Sequence, residues 1–245
     1  MRIKPVLQRV LQSVLGFKTY LLLFSIYRIK RINSYEPGFN TFLEMIPNRG
    51  AILDVGANIG ITAVPLASKF NQATVYAFEP IADNFQALTR VIQFFRIRNI
   101  VTQKCAVGEA PGTLRMILPV ESGVKKQGLG KVDDNHTAGI TEQVPVIRLD
   151  SLNFAEPVAA IKIDVEGHEL EVLKGAKALL LTNAPVIYCE LWNNAKRVEA
   201  ITYMATLGYG VSVLNEVANV LEPYNQQPAD NFFFTKPAGI AGNGD

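Results

Sequence analysis

Residues 53–60 read LDVGANIG, at the end of a run that starts Ala51-Ile52-Leu53. A short apolar run that meets an aspartate and then two glycines four positions apart reads as a buried strand turning sharply into a helix. Gly56, with no side chain, lets the backbone turn and approach a ligand, and Gly60 lets the next helix begin tight against the strand. In an open parallel sheet, ligands lie at the carboxyl ends of the strands, where the strand order reverses and helix-start amides face them. A dinucleotide cradle is usually G-x-G-x-x-G, but here Gly56-Ala57-Asn58-Ile59-Gly60 lacks the middle glycine. Asp54 also places a negative charge where a pyrophosphate would lie. Both features favour a cofactor that carries an ammonium group, such as S-adenosylmethionine.

Outward from this loop, short β-branched runs alternate with helical patterns. AILDV (51–55) gives way to a helix over 59–70, TVYAF (74–78) to one over 81–96, and IVTQKCAV (100–107) follows. The second run ends in Glu79, 19 residues after Gly60, where a carboxylate reaches the two ribose hydroxyls of an adenosine. Pro80 fixes an extended exit that helps to aim it. AAIKID (159–164) precedes a helix over 169–181, and PVIYCEL (185–191) one over 195–207. YGVSVL (209–214) and NFFFTK (231–236) complete seven strands. The expected fold is α/β: a Rossmann-like, mostly parallel seven-stranded sheet with helices on both faces.

The expected organisation is a basic N-terminal helical extension over 1–45, a catalytic domain over 46–238 and a flexible tail over 239–245. Within the domain, residues 110–143 break the alternation. A strand-like TLRMILPV (113–120) leads into a glycine- and charge-rich stretch whose length suggests a lid or substrate loop over 121–143, and VPVIRLD (144–150) leaves it as a strand.

The net charge of +2 hides an asymmetry. Residues 1–35 hold seven basic residues (Arg2, Lys4, Arg9, Lys18, Arg28, Lys30, Arg31) and no acid, which leaves 17 basic against 22 acidic residues in the rest. Such an arm suits a lipid surface or an acidic partner, or else packs on the domain as a solvated helix. The apolar run Tyr20–Tyr27 has 8 residues, short of the roughly 20 that span a bilayer. No small-residue cleavage site follows it, so a cytoplasmic protein is expected. Cys105 and Cys189 lie in strand-like runs and read as buried reduced thiols. Asn135-His136-Thr137 matches a glycosylation acceptor by chance in a chain without an export signal.

LDVGANIG, AFEP, Ala106-Val107-Gly108, VIRLDSL (146–152), IKIDVEGHELEVLKGA (161–176) and PVIYCEL together resemble the FkbM-type methyltransferases over roughly residues 50–236. The resemblance implies a class I methyltransferase fold, S-adenosylmethionine as donor, and as acceptor a hydroxyl of a sugar or another small natural-product molecule. With Ala106 and Val107, the expected cofactor-binding set is Asp54, Gly56, Asn58, Gly60, Glu79, Pro80, Ala106 and Val107.

Methyl transfer from a sulfonium needs an aligned acceptor and a base, not a nucleophilic serine or cysteine. Asp164 ends the fourth strand, Glu166, His168 and Glu169 follow it, and Glu190 ends the fifth. The expected catalytic residues are Asp164, His168 and Glu190. His168, at a probable helix start, would keep the neutral ring a base requires; the other histidine, His136, lies in the insertion. Facing Asp164 and Glu190 carboxylates could hold Mg²⁺, but no further fixed ligand is evident and a metal is not favoured. Lys162, a charge inside the fourth strand, has no assigned role. The net-acidic body and the absence of a proline-rich strand end argue against a nucleic-acid acceptor. Two rival functions remain, a nicotinamide-dependent oxidoreductase and a non-catalytic cofactor-binding module.

Overall fold

The structure, a computed structural model, describes residues 5–34, 36–118, 120–121, 124–125, 131–132 and 140–237. Most of the expected lid, including His136, and the tail over 239–245 lie outside them. In chain order the elements are helices α1 (Pro5–Leu15), α2 (Phe17–Ile29) and α3 (Pro37–Met45), strand β1 (Ala51–Val55), α4 (Ala63–Lys69), β2 (Val75–Phe78), α5 (Ala82–Phe94) and β3 (Ile100–Gln103). Then come the short β4 (Ala106–Val107), β5 (Gly112–Leu118), β6 (Val120–Glu121), β7 (Val124–Lys125), β8 (Lys131–Val132) and β9 (Ile140–Ile147). The chain continues through β10 (Val158–Ile163), α6 (Glu169–Gly175), α7 (Lys177–Asn183), β11 (Val186–Glu190), α8 (Ala195–Thr206), β12 (Gly210–Asn215), β13 (Val220–Pro223) and β14 (Asn231–Thr235).

The main sheet runs β13-β12-β14-β11-β10-β1-β2-β3. Its five strands from β11 to β3 are parallel, and the edge from β14 outward is antiparallel. All seven expected strands are present. The eighth, β13, is a short edge strand hairpinned to β12, and its half-exposed, proline-ended sequence VLEP carries too little apolar pattern to announce it. β1 lies between β10 and β2, so the strand order reverses there and the carboxyl ends of β1 and β10 open a crevice. Lys162 of β10 pairs in register with Asp54 of β1.

Alternate residues of the central strands feed opposite faces of the sheet. Leu53, Val55, Ile161, Ile163, Phe232 and Phe234 pack with Leu173, Leu180 and Met204 of the helices on one side. Ile52, Val75, Tyr188 and Phe233 pack with Phe39, Phe42 and Leu66 on the other. Each fully buried Phe or Leu contributes about 1.5–3 kcal/mol relative to exposure. α2 lies along α5, with Tyr20 and Leu21 packed on Ile59 and Ala87, so this part of the N-terminal region covers the chain just beyond the glycine loop.

Three expectations need correction. The helix after the glycine loop starts at Ala63, not at Ile59, because Asn58 (φ 49°) and Gly60 (φ 86°) are left-handed and the chain first closes a turn from Gly60 N–H to the Ala57 carbonyl. The Gly60 carbonyl still accepts the Val64 N–H at the start of α4, and a Cβ on Gly60 would lie 2.8 Å from Val91 of α5. The run over 169–181 is two helices that break at Ala176: a Cβ on Gly175 would lie 2.0 Å from the Gly108 carbonyl, and the Asp150 carboxylate accepts the Ala178 and Leu179 N–H groups at the start of α7. Finally, IVTQKCAV is not one strand. Its second half, β4, joins β9, β5 and β8 in a separate four-stranded sheet in which Gly112–Leu118 and Ile140–Ile147 pair antiparallel.

Candidate active site

Gly56 follows β1 with φ 82°, and its Cα faces the backbone of Asp164; an added Cβ would stand 1.8 Å from the Asp164 carbonyl oxygen. The glycine thus lets the ends of β1 and β10 close on each other. The Gly56 and Ala57 N–H groups both donate to the Phe78 carbonyl, which ties the loop to the end of β2. Glu79 follows Phe78 and is 4% exposed. Its Oε2 accepts the Asn58 N–H at 2.8 Å, and its Oε1 accepts the Ile81 N–H at 2.9 Å and Asn84 Nδ2 at 3.3 Å. Burial outweighs these donors and pushes the Glu79 pKa up to about 7. With two lone pairs per oxygen, Oε1 is filled by its two donors and Oε2 keeps room for one further donor, such as a ligand hydroxyl.

These residues border a pocket of about 630 Å³, partly open to solvent. Its walls come from four places: the glycine loop, the β2 exit from Phe78 to Asn84, the Cys105–Val107 step with Leu114 and Met116 of the second sheet, and the β10 exit from Asp164 to His168. Leu114 and Met116 pack with Ile81, Ala106 and Val146 into an apolar side wall. That sheet is pinned to the β2 exit by Glu142, which accepts the Ala82 N–H at 3.0 Å and pairs with Lys104. The insertion therefore supplies a fixed wall through β5 and β9.

At the β10 exit the charges concentrate. Lys162 is 4% exposed and its Nζ donates to the Gly56 carbonyl and to Asp164 Oδ2, both at 3.3 Å, with Asp54 Oδ1 at 3.7 Å. Burial opposes the ammonium charge, but Asp164, Asp54 and Glu36 outweigh it and raise the lysine's pKa. Asp54, wholly buried, accepts the Thr62 hydroxyl at 2.8 Å, and burial raises its pKa against the pull of Lys162. Burial, then the neighbouring Asp164 and Glu166, push Glu190 up to about 8. Glu36, just ahead of α3, accepts the Tyr188 hydroxyl at 3.1 Å, and burial raises its pKa despite Lys162. Glu166 holds a left-handed φ of 57°, a conformation that costs a non-glycine residue about 1–2 kcal/mol. Such outliers gather where a site fixes the backbone.

Of the eleven expected site residues, Gly56, Asn58, Glu79, Pro80, Ala106, Val107, Asp164 and His168 border the pocket. Asp54, Gly60 and Glu190 stand behind its wall. Asp54 acts inward, through Thr62 and Lys162, and Gly60 packs on α5. His168 lies against Gly108, where a Cβ would be 3.2 Å from Nε2, and its Nδ1 is 3.6 Å from Glu171 Oε2. It is thus on the side of the second sheet, whereas Asp164 is on the side of Lys162. Lys162, Glu36, Asn84, Leu114 and Met116 are absent from the expected set. Only Lys162 carried a signal, an isolated charge in an apolar central strand two residues before an acid. Among the described residues, no three Asp, Glu, His or Cys side chains are grouped to share a metal ion, and no helix is long and apolar enough to cross a membrane.

Residues 54–211, from the buried aspartate of β1 to β12, match the methyltransferase FkbM domain. The chain belongs to the FkbM methyltransferase family. It is an enzyme of methyl transfer, and its glycine loop, Glu79 and the β10 exit all fall inside the matched span. The chain is similar to the hexuronic acid methyltransferase AglP of Haloferax volcanii, 30% identical over 201 residues that cover 78% of this chain and 77% of that protein. Methyltransferase 1 of Beauveria bassiana is 25% identical over 188 residues, covering 68% and 75% respectively. The fold matches the crystal structure of an FkbM methyltransferase from Methylobacillus flagellatus (TM-score 0.52, 19% identity, 76% of this chain), of which this chain spans 44%. It also matches a SAM-dependent O-methyltransferase from Thermotoga maritima (TM-score 0.50, 13% identity, 85% of this chain and 71% of that one).

Proposed function

We propose that this chain is an S-adenosylmethionine-dependent O-methyltransferase whose acceptor is a hydroxyl of a sugar or another small molecule. The observation that carries the reading is Glu79: a buried carboxylate, fixed by three donors, borders the same pocket as the Gly56 cradle and Asp164. Oε2 of Glu79, with one lone pair left, makes this part of the wall an acceptor. A ribose diol fits such a wall. A phosphate does not, which weighs against a dinucleotide. When bound, S-adenosylmethionine supplies a methyl group on a sulfonium, electrophilic without further activation.

The chain's own residues then have three tasks. Glu79 would accept a ribose hydroxyl through Oε2, Gly56 would let the loop backbone come close, and Pro80, Ala106 and Val107 with the Leu114–Met116 wall would flank the base. Asp164, whose Oδ2 is fixed by Lys162, would remove the acceptor's hydroxyl proton. Glu190, pushed up to about 8, holds its proton at neutral pH and can donate a hydrogen bond near Asp164. His168, on the far side beside Gly108, is the weaker candidate for the base. The hexuronic acid named for the Haloferax relative supports a sugar acceptor. The test is calorimetry with S-adenosylhomocysteine, followed by transfer of labelled methyl to a panel of hexoses, hexuronic acids and hydroxylated natural products. Expected is saturable binding and labelling at oxygen; binding of NAD with none of S-adenosylhomocysteine would overturn the reading.

A further inference from the structure

α2, FKTYLLLFSIYRI, is apolar on two opposite sides. Its inner side is covered, since Tyr20 and Leu21 are buried and pack on Ile59 and on Ala87 of α5. Leu23 lies roughly 200° around the helix from Leu21 and is 50% exposed. Ile26 and Tyr27, one turn on and half-buried, stand beside it. α1 repeats the pattern. Leu11 packs inward against the Tyr20–Leu21 cluster, whereas Val10 and Val14, one turn apart, are 51% and 76% exposed. A helix that is apolar all round is ordinarily covered all round. Here the outer side is left to solvent.

Around these aliphatic side chains the charge has one sign. Lys18 near the start of α2, and Lys30 and Arg31 just past its end, are exposed, and residues 1–35 hold seven basic residues and no acid. The Arg28 guanidinium lies 5.9 Å over the Phe24 ring, and Arg31 donates to the Tyr27 hydroxyl at 3.1 Å. An occupant of this face must therefore offer apolar contact together with negative charge. A second copy of the chain offers the first without the second, because a two-fold contact sets the same patch against itself and brings like charges together. A hydrophilic acidic peptide meets the charges but leaves Val10, Val14 and Leu23 without apolar contact. The surface of an anionic bilayer supplies both, with acyl chains for the aliphatic side chains and phosphates for the long basic ones. At 13 residues α2 is too short to span that bilayer and would lie in its plane.

We infer that the outer side of α1 and α2 is a membrane-docking surface, which inserts Val10, Val14 and Leu23 among the headgroups of an anionic bilayer and sets Lys18, Lys30 and Arg31 on the lipid phosphates. Because the inner side of α2 is packed on Ile59 and Ala87, docking tethers the methyltransferase domain itself and not only its arm. None of these outer residues borders the cofactor pocket, so the surface is tested apart from methyl transfer.

The test is sedimentation of the full chain with vesicles of phosphatidylcholine alone, and of phosphatidylcholine mixed in equal parts with phosphatidylserine. Wild type is compared with Leu23→Glu and with the double variant Lys18→Glu, Lys30→Glu; Val14→Glu is the second apolar variant should Leu23→Glu prevent folding. Expected is cosedimentation with the mixed vesicles and not with the neutral ones, weakened by added salt. Loss of the Leu23 contact predicts at least about tenfold weaker partitioning, and reversal of the two lysines predicts a loss of at least that size at low salt. Melting temperatures should be unchanged, because every substituted side chain is exposed. Wild-type protein that stays in the supernatant with the mixed vesicles overturns the inference. So does binding that survives Leu23→Glu, the mark of charge adsorption alone, and so does a wild-type dimer in light scattering that Leu23→Glu splits, which gives the face to a second copy.

Discussion

Glu79 and Lys162 lie at the two ends of one pocket and are held in opposite ways. Glu79 takes its donors from residues 2, 5 and 21 positions away, so its setting is largely the consequence of one loop and one strand exit. Lys162 donates to the Gly56 carbonyl 106 positions back, and Tyr188, on the next strand, donates to Glu36 across 152. The first end is a buried acid surrounded by neutral donors and apolar walls. The second is a lone buried cation among Asp54, Asp164, Glu36 and Glu190. On the proposed function, the Glu79 end would bind and release a neutral diol, and the Lys162 end would hold a proton-accepting group in place.

The widest separation of the two ends should come from Asp164→Asn. As the base it is worth roughly 10³-fold in turnover, measured with saturating acceptor, while calorimetry should find the affinity for S-adenosylhomocysteine unchanged; His168→Gln should cost far less. Lys162→Met comes next, since it leaves Asp54 buried and unpaired and should destabilise the protein by roughly 3–5 kcal/mol in urea denaturation. The sign with pH follows from Asp54, whose pKa is already raised. A raised acid contributes stability at low pH that is lost as pH rises, so the deficit of the lysine variant should shrink on acidification. Gly56→Ala should cost about 3 kcal/mol and abolish ligand binding, through a left-handed φ and a clash with the Asp164 backbone. An alanine variant that melts like wild type would sever the link between the two ends.

The smallest effect is a titration confined to the Glu79 end. Glu79 is raised from 4.5 to about 7, so the ligand-free protein carries its proton below pH 7, and hydroxyl donors bind the ionised form. Affinity for S-adenosylhomocysteine should therefore be flat above about pH 7 and fall by up to about tenfold per pH unit below it. The stability of the ligand-free protein should follow the reverse trend, since a raised Glu79 contributes stability fully below pH 4.5 that is lost as pH rises through about 7.

The same contrast governs how much could be read from residues alone. LDVGANIG and Glu79 are legible because a turn, a glycine and a strand-end acid act over short spans. Their partners Asn84 and Ile81 follow directly but look like ordinary helix-start residues. The Lys162 end is a product of sheet order: only when β10 is placed beside β1 do Lys162 and Asp54 meet, and only when the N-terminal region folds back does Glu36 reach Tyr188. The second sheet escaped notice because its two long strands, Gly112–Leu118 and Ile140–Ile147, are separated by a stretch without periodicity. With the partner unknown, β5 read as an isolated strand and the start of β9 as part of a loop. Leu114 and Met116 accordingly became pocket walls that no local pattern marked. The helix break at Ala176 is similar, since Gly175 matters only through its distant neighbour Gly108.

The measurement that bears most directly on the central claim is the titration of S-adenosylhomocysteine into the wild-type chain and into Glu79→Gln at pH 8, where the wild-type carboxylate is ionised. One-site binding that weakens by about 100-fold in the variant is the result expected when a carboxylate holds the ribose diol. Equal affinity in the two proteins would contradict the account.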